Sequence, residues 1–466
     1  MIKNIDKLKK RVKENLEKRA NDFIENLGIT SKTENFTIDT IEDIMTKFNK
    51  EANEISIDAV NKAIASFDER KIIEKKNQEI SGLIVKRKRT KKIMTLNGIL
   101  SIKRTLLCRT LPSDDEYKAE IAPLDELLQI DILPFKMTKS VMLEVAYMAQ
   151  MLSSYEEATE ELRKKLGYDI SRTLVRKVAV FVGNLVYQHD LKKALKTERN
   201  IMNSMPDIKE KIDADVYILM DGAALNTRIE DKNSSTWREN KLGMSFVSIN
   251  VIKRGTNAEN GYTITKKEYT AFIGSTAEFA KFVYQIAINQ GYGKYERTVV
   301  LGDGAAWIRT ICNEKFPDAI QILDFYHLEE NIYDFAKYIF KNRVKKYKPW
   351  AEMIKEHILE QRISAALSEI KKYSNKKSLP GVVNLERYIK NNIDRINYKE
   401  YKENGYFIGS GAIESANKTI LQKILKQAGM RWSVETAQAI LTLRAKVESG
   451  LWHQVKHLVM NYKKAL

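Results

Sequence analysis

Two stretches of this chain end an apolar run on the same four residues. Val216-Tyr217-Ile218-Leu219-Met220 stops on Asp221, followed by Gly222-Ala223-Ala224. Val299-Val300-Leu301 leads through Gly302 to Asp303, followed by Gly304-Ala305-Ala306. A continuous apolar run of this length reads as a strand buried on both faces. A carboxylate inside such a strand would be costly to bury unpaired. At the strand's C-terminal end it reaches the cleft where open α/β sheets hold ligands. The expectation is therefore two strand-end carboxylates facing one cleft, with Gly222 and Gly304 leaving room beside them. Two acids on neighbouring strands disfavour each other's charge unless a cation lies between them. Oxygen ligands alone favour Mg²⁺ or Mn²⁺. The competing reading is plain turn chemistry, because Asp-Gly is a common turn dipeptide.

A third acid would complete such a site. Glu414, in Gly409-Ser410-Gly411-Ala412-Ile413-Glu414, sits one turn into a helix with a glycine-rich entry. Three carboxylates can hold two divalent ions and clamp an in-line phosphoryl displacement, one ion activating the attacking oxygen and the other the leaving oxygen. An acid in the first turn of a helix also serves the helix dipole alone.

The charge supports a polyanionic partner. The 466 residues carry 79 Lys and Arg against 61 Asp and Glu, a net charge of +18. Such a surface attracts nucleic acid by neutralising phosphates and releasing counterions. The hydrophobic fraction of 43% is ordinary for folded domains, and the length predicts two or three of them. Cys108 and Cys312 lie far apart, which offers neither a zinc ribbon nor a disulfide framework and suits a reducing compartment. The first twenty residues are charged throughout, unlike a signal peptide, and no stretch approaches the roughly 18 apolar residues of a membrane span. The expected location is the cytoplasm, on the nucleoid, with no membrane partner.

The elements that must position these residues follow from periodicity. Residues 1–82 read as helices, with Ile5, Leu8, Val12 and Leu16 at helical spacing. Residues 83–119 read as a β-hairpin whose Asn97-Gly98 predicts a type I′ turn. Its first arm carries Lys86, Arg87, Lys88, Arg89, Lys91 and Lys92, a ribbon suited to DNA or an edge strand kept soluble by lysines. Residues 120–205 return to helix. Two segments join through Gly167-Tyr168-Asp169-Ile170, with Ser171 as a cap and Arg172, Arg176 and Lys177 on the second. That pattern suits a DNA-reading helix-turn-helix or an ordinary helical bundle. Residues 206–328 alternate strands and helices as a mixed α/β sheet, with one strand over residues 241–255. Residues 329–405 form a helical insertion, and 406–466 return as C-terminal helices around Glu414.

The order Asp221, Asp303, then Glu414 after a helical insertion resembles the DDE transposases of the RNase H-like superfamily. Asp324-Phe325-Tyr326-His327 resembles the (C/D)-x-x-H motif of the Mutator-type branch. The hairpin sequence around Asn97, the segment Ser154–Gly167 and Arg431-Trp432 resemble bacterial insertion-sequence transposases of the ISLre type. The resemblance spans about residues 85–455. It implies an α/β, RNase H-like (retroviral integrase-like) catalytic core. Asp221, Asp303 and Glu414 would be its catalytic, metal-binding triad, with two Mg²⁺ or Mn²⁺ ions and Asp324 and His327 in support. It also implies element ends and target DNA as partners, and a homo-oligomer that brings two ends together. A metal-dependent nuclease without strand transfer, and a non-enzymatic helix-turn-helix regulator, are the alternatives to it.

Overall fold

A computed structural model describes residues 38–109, 120–203, 210–228, 235–253, 261–374, 383–427 and 429–463, with isolated helical positions between 10 and 25. It divides into two compact units. The first comprises Met1–Ala149, Tyr155–Val178 and His457–Leu466; the second comprises Gln150–Ser154 and Ala179–Lys456. One of its boundaries, between Val178 and Ala179, falls inside a long helix.

In the first unit, α1 (Ile38–Ala65) and α2 (Glu69–Glu79) precede the antiparallel hairpin β1 (Leu83–Thr95) and β2 (Gly98–Arg109). Helices α3 (Pro123–Leu127), α4 (Lys139–Met151) and α5 (Tyr155–Leu166) follow, and α6 (Arg172–Asn203) begins here. Ile93 and Ile102 from facing arms pack with Leu124, covering the turn end of the hairpin with α3.

The hairpin turn lies one residue earlier than its sequence suggests. Thr95 pairs with Gly98, so Leu96 and Asn97 form the connection. Asn97 is not left-handed, whereas Gly98 is, at φ 137°. Thr95 holds the turn, its hydroxyl donating to the Gly98 carbonyl at 2.8 Å and accepting from the Asn97 N–H at 3.3 Å. A type I′ turn needs positive φ at both central residues, so Asn97-Gly98 does not make one here.

The second unit is built on a five-stranded sheet. Its strands are β3 (Ile212–Asn226), β4 (Trp237–Val247), β7 (Lys267–Phe272), β8 (Tyr295–Gly302) and β9 (Ile320–Leu323). A short antiparallel pair, β5 (Val251–Lys253) and β6 (Tyr262–Ile264), stands apart from it. The spatial order is β7-β4-β3-β8-β9, antiparallel on the β7-β4-β3 side and parallel on the β3-β8-β9 side. The single strand expected over residues 241–255 is broken. Ser248–Asn250 forms a 3₁₀ turn, where the Ser248 hydroxyl accepts from the Asp215 N–H at 2.9 Å and diverts the chain into β5.

Alternation along β3 divides the unit's interior. Val216, Ile218 and Met220 face one core with Phe279, Val283 and Ile308 from α7 (Thr276–Asn289) and α8 (Ala306–Lys315). Ser275 caps α7 by accepting from the Glu278 N–H at 3.2 Å. Tyr217 and Leu219 point to the other face, where the Tyr217 and Phe246 rings stack 5.0 Å apart. Beyond β9 the chain is helical: α9 (Phe325–Ile339), α10 (Val344–Leu359), α11 (Ile363–Ser374), α12 (Leu385–Asn391) and α13 (Tyr398–Glu403). Phe335, Phe340, Trp350 and Tyr373 interlock as its aromatic centre. The last helices of this unit begin with α14 (Gly411–Ala416), which continues through a π-helical stretch (Asn417–Gln422) and Lys423–Leu425. Then come α15 (Val434–Glu448) and α16 (Trp452–Met460), where the chain re-enters the first unit. No helix among the described residues is long and apolar enough to cross a membrane.

Candidate active site

The two DGAA copies meet at one level of the sheet. The last parallel pairing between β3 and β8 joins Met220 to Gly302, and Asp221 and Asp303 are the next residues on each side. They do not end their strands alike. Asp303 lies just beyond β8, but Asp221 lies inside β3, which continues paired to β4 as far as Asn226 opposite Trp237. The reading of Asp221 as a strand-end carboxylate is thus corrected: what ends there is the ladder to β8. Beyond that point β3 keeps β4 as a neighbour but not β8.

The expected room beside the acids is also corrected. A Cβ at Gly222 would come within 2.7 Å of Glu239 Oε1, and one at Gly304 would overlap the Tyr388 ring. At Gly222 the space is taken by the end of a flexible glutamate, which can swing aside; at Gly304 it is taken by an aromatic ring, so there the absence of a side chain matters. Trp307 Nε1 donates to the same Glu239 oxygen at 3.2 Å, and Lys241 pairs with its other oxygen at 2.7 Å.

Each acid is held by a distinct set of donors. Asp221 Oδ1 accepts the Gly222 N–H at 2.7 Å, and its Oδ2 accepts the side-chain amide of Asn417. Asp303 Oδ1 accepts the Ala305 N–H at 2.9 Å. Asp324 is fully buried and caps α9 by accepting the Tyr326 N–H at 3.1 Å. Its Oδ1 also accepts the Ser410 N–H at 2.9 Å, and its Oδ2 bonds the Ser410 hydroxyl. The same hydroxyl oxygen lies 3.0 Å from Glu414 Oε1. Ser410 therefore does not cap its own helix; it links Asp324 to Glu414.

His327, one turn into α9, places Nε2 3.7 Å from Asp324 Oδ2 and Nδ1 3.3 Å from Glu330 Oε2. Ligand atoms of Asp324, His327 and Glu414 all lie within 4.8 Å of one another, close enough to share a cation. Among the described residues Asp221 and Asp303 are not part of that group; Asn417, three residues after Glu414, connects the group's helix to Asp221. Burial and then the neighbouring Asp303 raise the Asp221 carboxyl above its ordinary range, against the bond from Gly222. Burial raises Asp324 likewise. Burial works against the charged form of His327, but Asp324, Asp221 and Asp303 together raise its pKa. One imidazole thus feels three surrounding carboxylates, a charge arrangement suited to cations.

Sequence reasoning did not identify Ser410, Asn417 or Tyr388. Asn417 has a visible signal, because i and i+3 share a helix face and Glu414 is already a candidate. Ser410 belongs only to a glycine-rich helix entry by pattern, and Tyr388 carries no sequence signal.

The basic residues lie in the first unit, on the hairpin and on the first turns of α6. Lys86 is the extra residue of a β-bulge, with a register shift between Val85 and Arg87. Lys86 and Arg87 both pair with Glu120, at 3.1 and 2.8 Å, and Lys88 lies 3.9 Å from Glu69. Lys91 is half-buried and joins Arg104 on the buried Asp125, at 2.9 and 2.7 Å. Its charge therefore serves the fold, which removes it from the exposed ribbon. Arg89 and Lys92 are exposed and form no ion pair among the described residues. The Ser171 hydroxyl accepts from the Leu174 N–H at 3.3 Å at the start of α6. Arg172, Arg176 and Lys177 are exposed there, Arg172 pairing with Glu156 at 2.6 Å.

Fold and site together define a mixed α/β protein with carboxylates and one imidazole gathered where the parallel half of a sheet ends. Residues 231–460 match the sequence profile of an uncharacterised protein family, UPF0236. No curated protein matches the chain at a significant level. Among solved structures, the Drosophila P element transposase strand transfer complex is similar at 10% identity, covering 73% of this chain and 85% of that chain, with a TM-score of 0.24.

Proposed function

We propose that this protein is a DNA transposase of the DDE type, with an RNase H-like core interrupted by a helical insertion. The observation that carries the reading is the pairing of Met220 with Gly302, which brings Asp221 and Asp303 side by side, while Asn417 ties Asp221 to the helix bearing Glu414. Three antiparallel strands followed by two parallel ones, in the order β7-β4-β3-β8-β9, support an RNase H-like core. The net charge of +18 and the exposed Arg89, Lys92, Arg176 and Lys177 support DNA as the partner.

The donor set fits Mg²⁺ or Mn²⁺. It is dominated by carboxylate oxygens, and Asp221 is buried beside a second acid whose charge a cation would relieve. Asp221, Asp303 and Glu414 would hold two ions, with Asp324 and His327 beside them. When bound, such ions lower the barrier to in-line displacement at phosphorus by stabilising the attacking and leaving oxygens. Ser410 and Asp324 fix the direction of Glu414, and Asn417 fixes that of Asp221. The basic residues would hold the element ends, and the protein would act as a homo-oligomer so that two ends are joined in one complex.

The test uses the purified full chain with DNA taken from the sequences flanking its own gene. The expected result is Mg²⁺-dependent strand cleavage and joining of 3′ ends to target DNA. Asp221→Ala and Glu414→Ala should abolish both while a gel shift persists. Cleavage by both variants would overturn the site. Shortened products with no joining of pre-cut ends would identify a nuclease instead, and DNA binding with no metal-dependent scission a regulator.

A further inference from the structure

We infer that the cavity beside the carboxylates binds a single unstacked nucleobase; this rests on nucleic acid being the substrate. The cavity holds about 640 Å³. Its floor includes Leu219 and Leu301, each two residues before an acid of the site. Side chains two apart on a strand share a face, so Leu219 and Asp221 lie on one face of β3, and Leu301 stands two residues before Asp303 at the end of β8. Its opposite wall includes Gly409, Gly411 and Ser415, which flank Ser410 and Glu414 in sequence. The cavity is thus lined by sequence neighbours of the site's acids on both the sheet and the helix.

Aromatic rings make up much of the lining. Tyr217 stacks on Phe246, and both lean on Phe407. Tyr262 lines the cavity, meets Phe407 edge-on at 5.2 Å and remains 52% exposed. Tyr326, also 52% exposed, lies over Gly409, where any side chain would overlap its ring. Lys267 and Thr263 add a cation and a hydroxyl to the lining. Flat apolar faces with polar groups at their edges match a heteroaromatic base, and Lys267 suits the phosphate attached to it. An enzyme acting on a strand at these acids would thereby fix the strand's register by holding one base out of the stack. The ring faces accept any base, so the site discriminates weakly among sequences.

The experiment uses the full chain and a single-stranded 12-mer of thymidines carrying one central 5-iodouracil. Irradiation followed by peptide mapping should crosslink the base to Tyr262, Tyr326 or Phe407. Titration of the same protein with thymidine monophosphate separates a base within its strand from a free nucleotide: saturable binding of the monophosphate assigns the cavity to free nucleotides as well. Tyr262→Ala, at an exposed strand edge, and Lys267→Met should each weaken 12-mer binding at least roughly fivefold, the scale of losing one base–aromatic stack. If the 12-mer binds normally to wild type and to both variants, crosslinks only outside the cavity, and the monophosphate does not bind, the inference fails while DNA binding stands. If the chain binds no DNA of any kind, the transposase reading fails with it.

Discussion

Asn417 donates its side-chain amide to Asp221 Oδ2 from a position three residues beyond Glu414. One helix thus supplies an acid to the site and orients another acid on the central strand. The helix changes to π geometry from Asn417 onward. Such local widening often occurs at functional sites, because it re-aims side chains that a regular helix would leave in line.

This contact predicts a positioning defect. Asn417→Ala removes the donor without changing any carboxylate, and should lower Mg²⁺-dependent cleavage by about 10- to 100-fold, the range seen when outer partners of metal ligands are lost. The rate should recover in part at higher Mg²⁺ or with Mn²⁺. A cleavage rate measured across metal concentrations checks this, and an unchanged curve would show that Asp221 needs no such support. Asn417→Asp should be worse, since it adds a like charge beside Asp221.

Ser410 predicts a stability effect. Its backbone N–H and hydroxyl both serve the fully buried Asp324, and its oxygen lies beside Glu414. Ser410→Ala leaves the backbone bond but strips the hydroxyl from a buried carboxylate, which costs about 1–3 kcal/mol. Urea denaturation of the metal-free protein should show that loss. Ser410→Thr should retain more stability than Ser410→Ala, because the hydroxyl survives.

Gly304 and Tyr388 should behave as a coupled pair. Any Cβ at Gly304 overlaps the Tyr388 ring, which reaches from α12 into the turn that carries Asp303. Burial, followed by the Asp303 charge, pushes the Tyr388 phenol up to about 12, so it stays neutral at working pH. Gly304→Ala should cost about 1–3 kcal/mol as an overpacking change. In a Tyr388→Ala background the same substitution should cost clearly less. A double-mutant cycle of thermal stabilities measures the difference, and simple additivity would mean that the ring moves away freely.

Much of this arrangement is legible from residue patterns. The apolar runs ending at Asp221 and Asp303 mark two strands. What pattern alone misses is register and reach. Asp221 continues β3 because β4 is longer than β8, which no local signal states. Ser248 breaks a strand because its hydroxyl accepts from Asp215, 33 residues away. Lys91 looks like part of a basic ribbon until Asp125, 34 residues on, folds against it. Ser410 belongs only to a glycine-rich helix entry by pattern, and its partner is 86 residues back. The last three are polar contacts between elements, where hydrophobic periodicity carries no information.

Glu268 predicts a pH dependence of stability away from the candidate site. It is buried on β7, and the Asn289 amide lies 3.0 Å from each of its oxygens. Burial raises its carboxyl above the ordinary value of 4.5, outweighing the nearby Lys446 charge. The sign follows from proton counting. Between 4.5 and the raised folded value, the folded chain keeps a proton that the unfolded chain has released. Stability therefore falls as pH rises through that window, and stays lower above it. Glu268→Gln keeps a side chain of the same shape, which can still accept the Asn289 amide, and cannot ionise. Its stability relative to wild type should increase as pH rises from about 4.5 and then level off. Urea midpoints for both proteins across pH 4 to 8 check this, on the scale of ordinary carboxylate titration. A difference that is flat across the range would show that Lys446 compensates the buried charge fully.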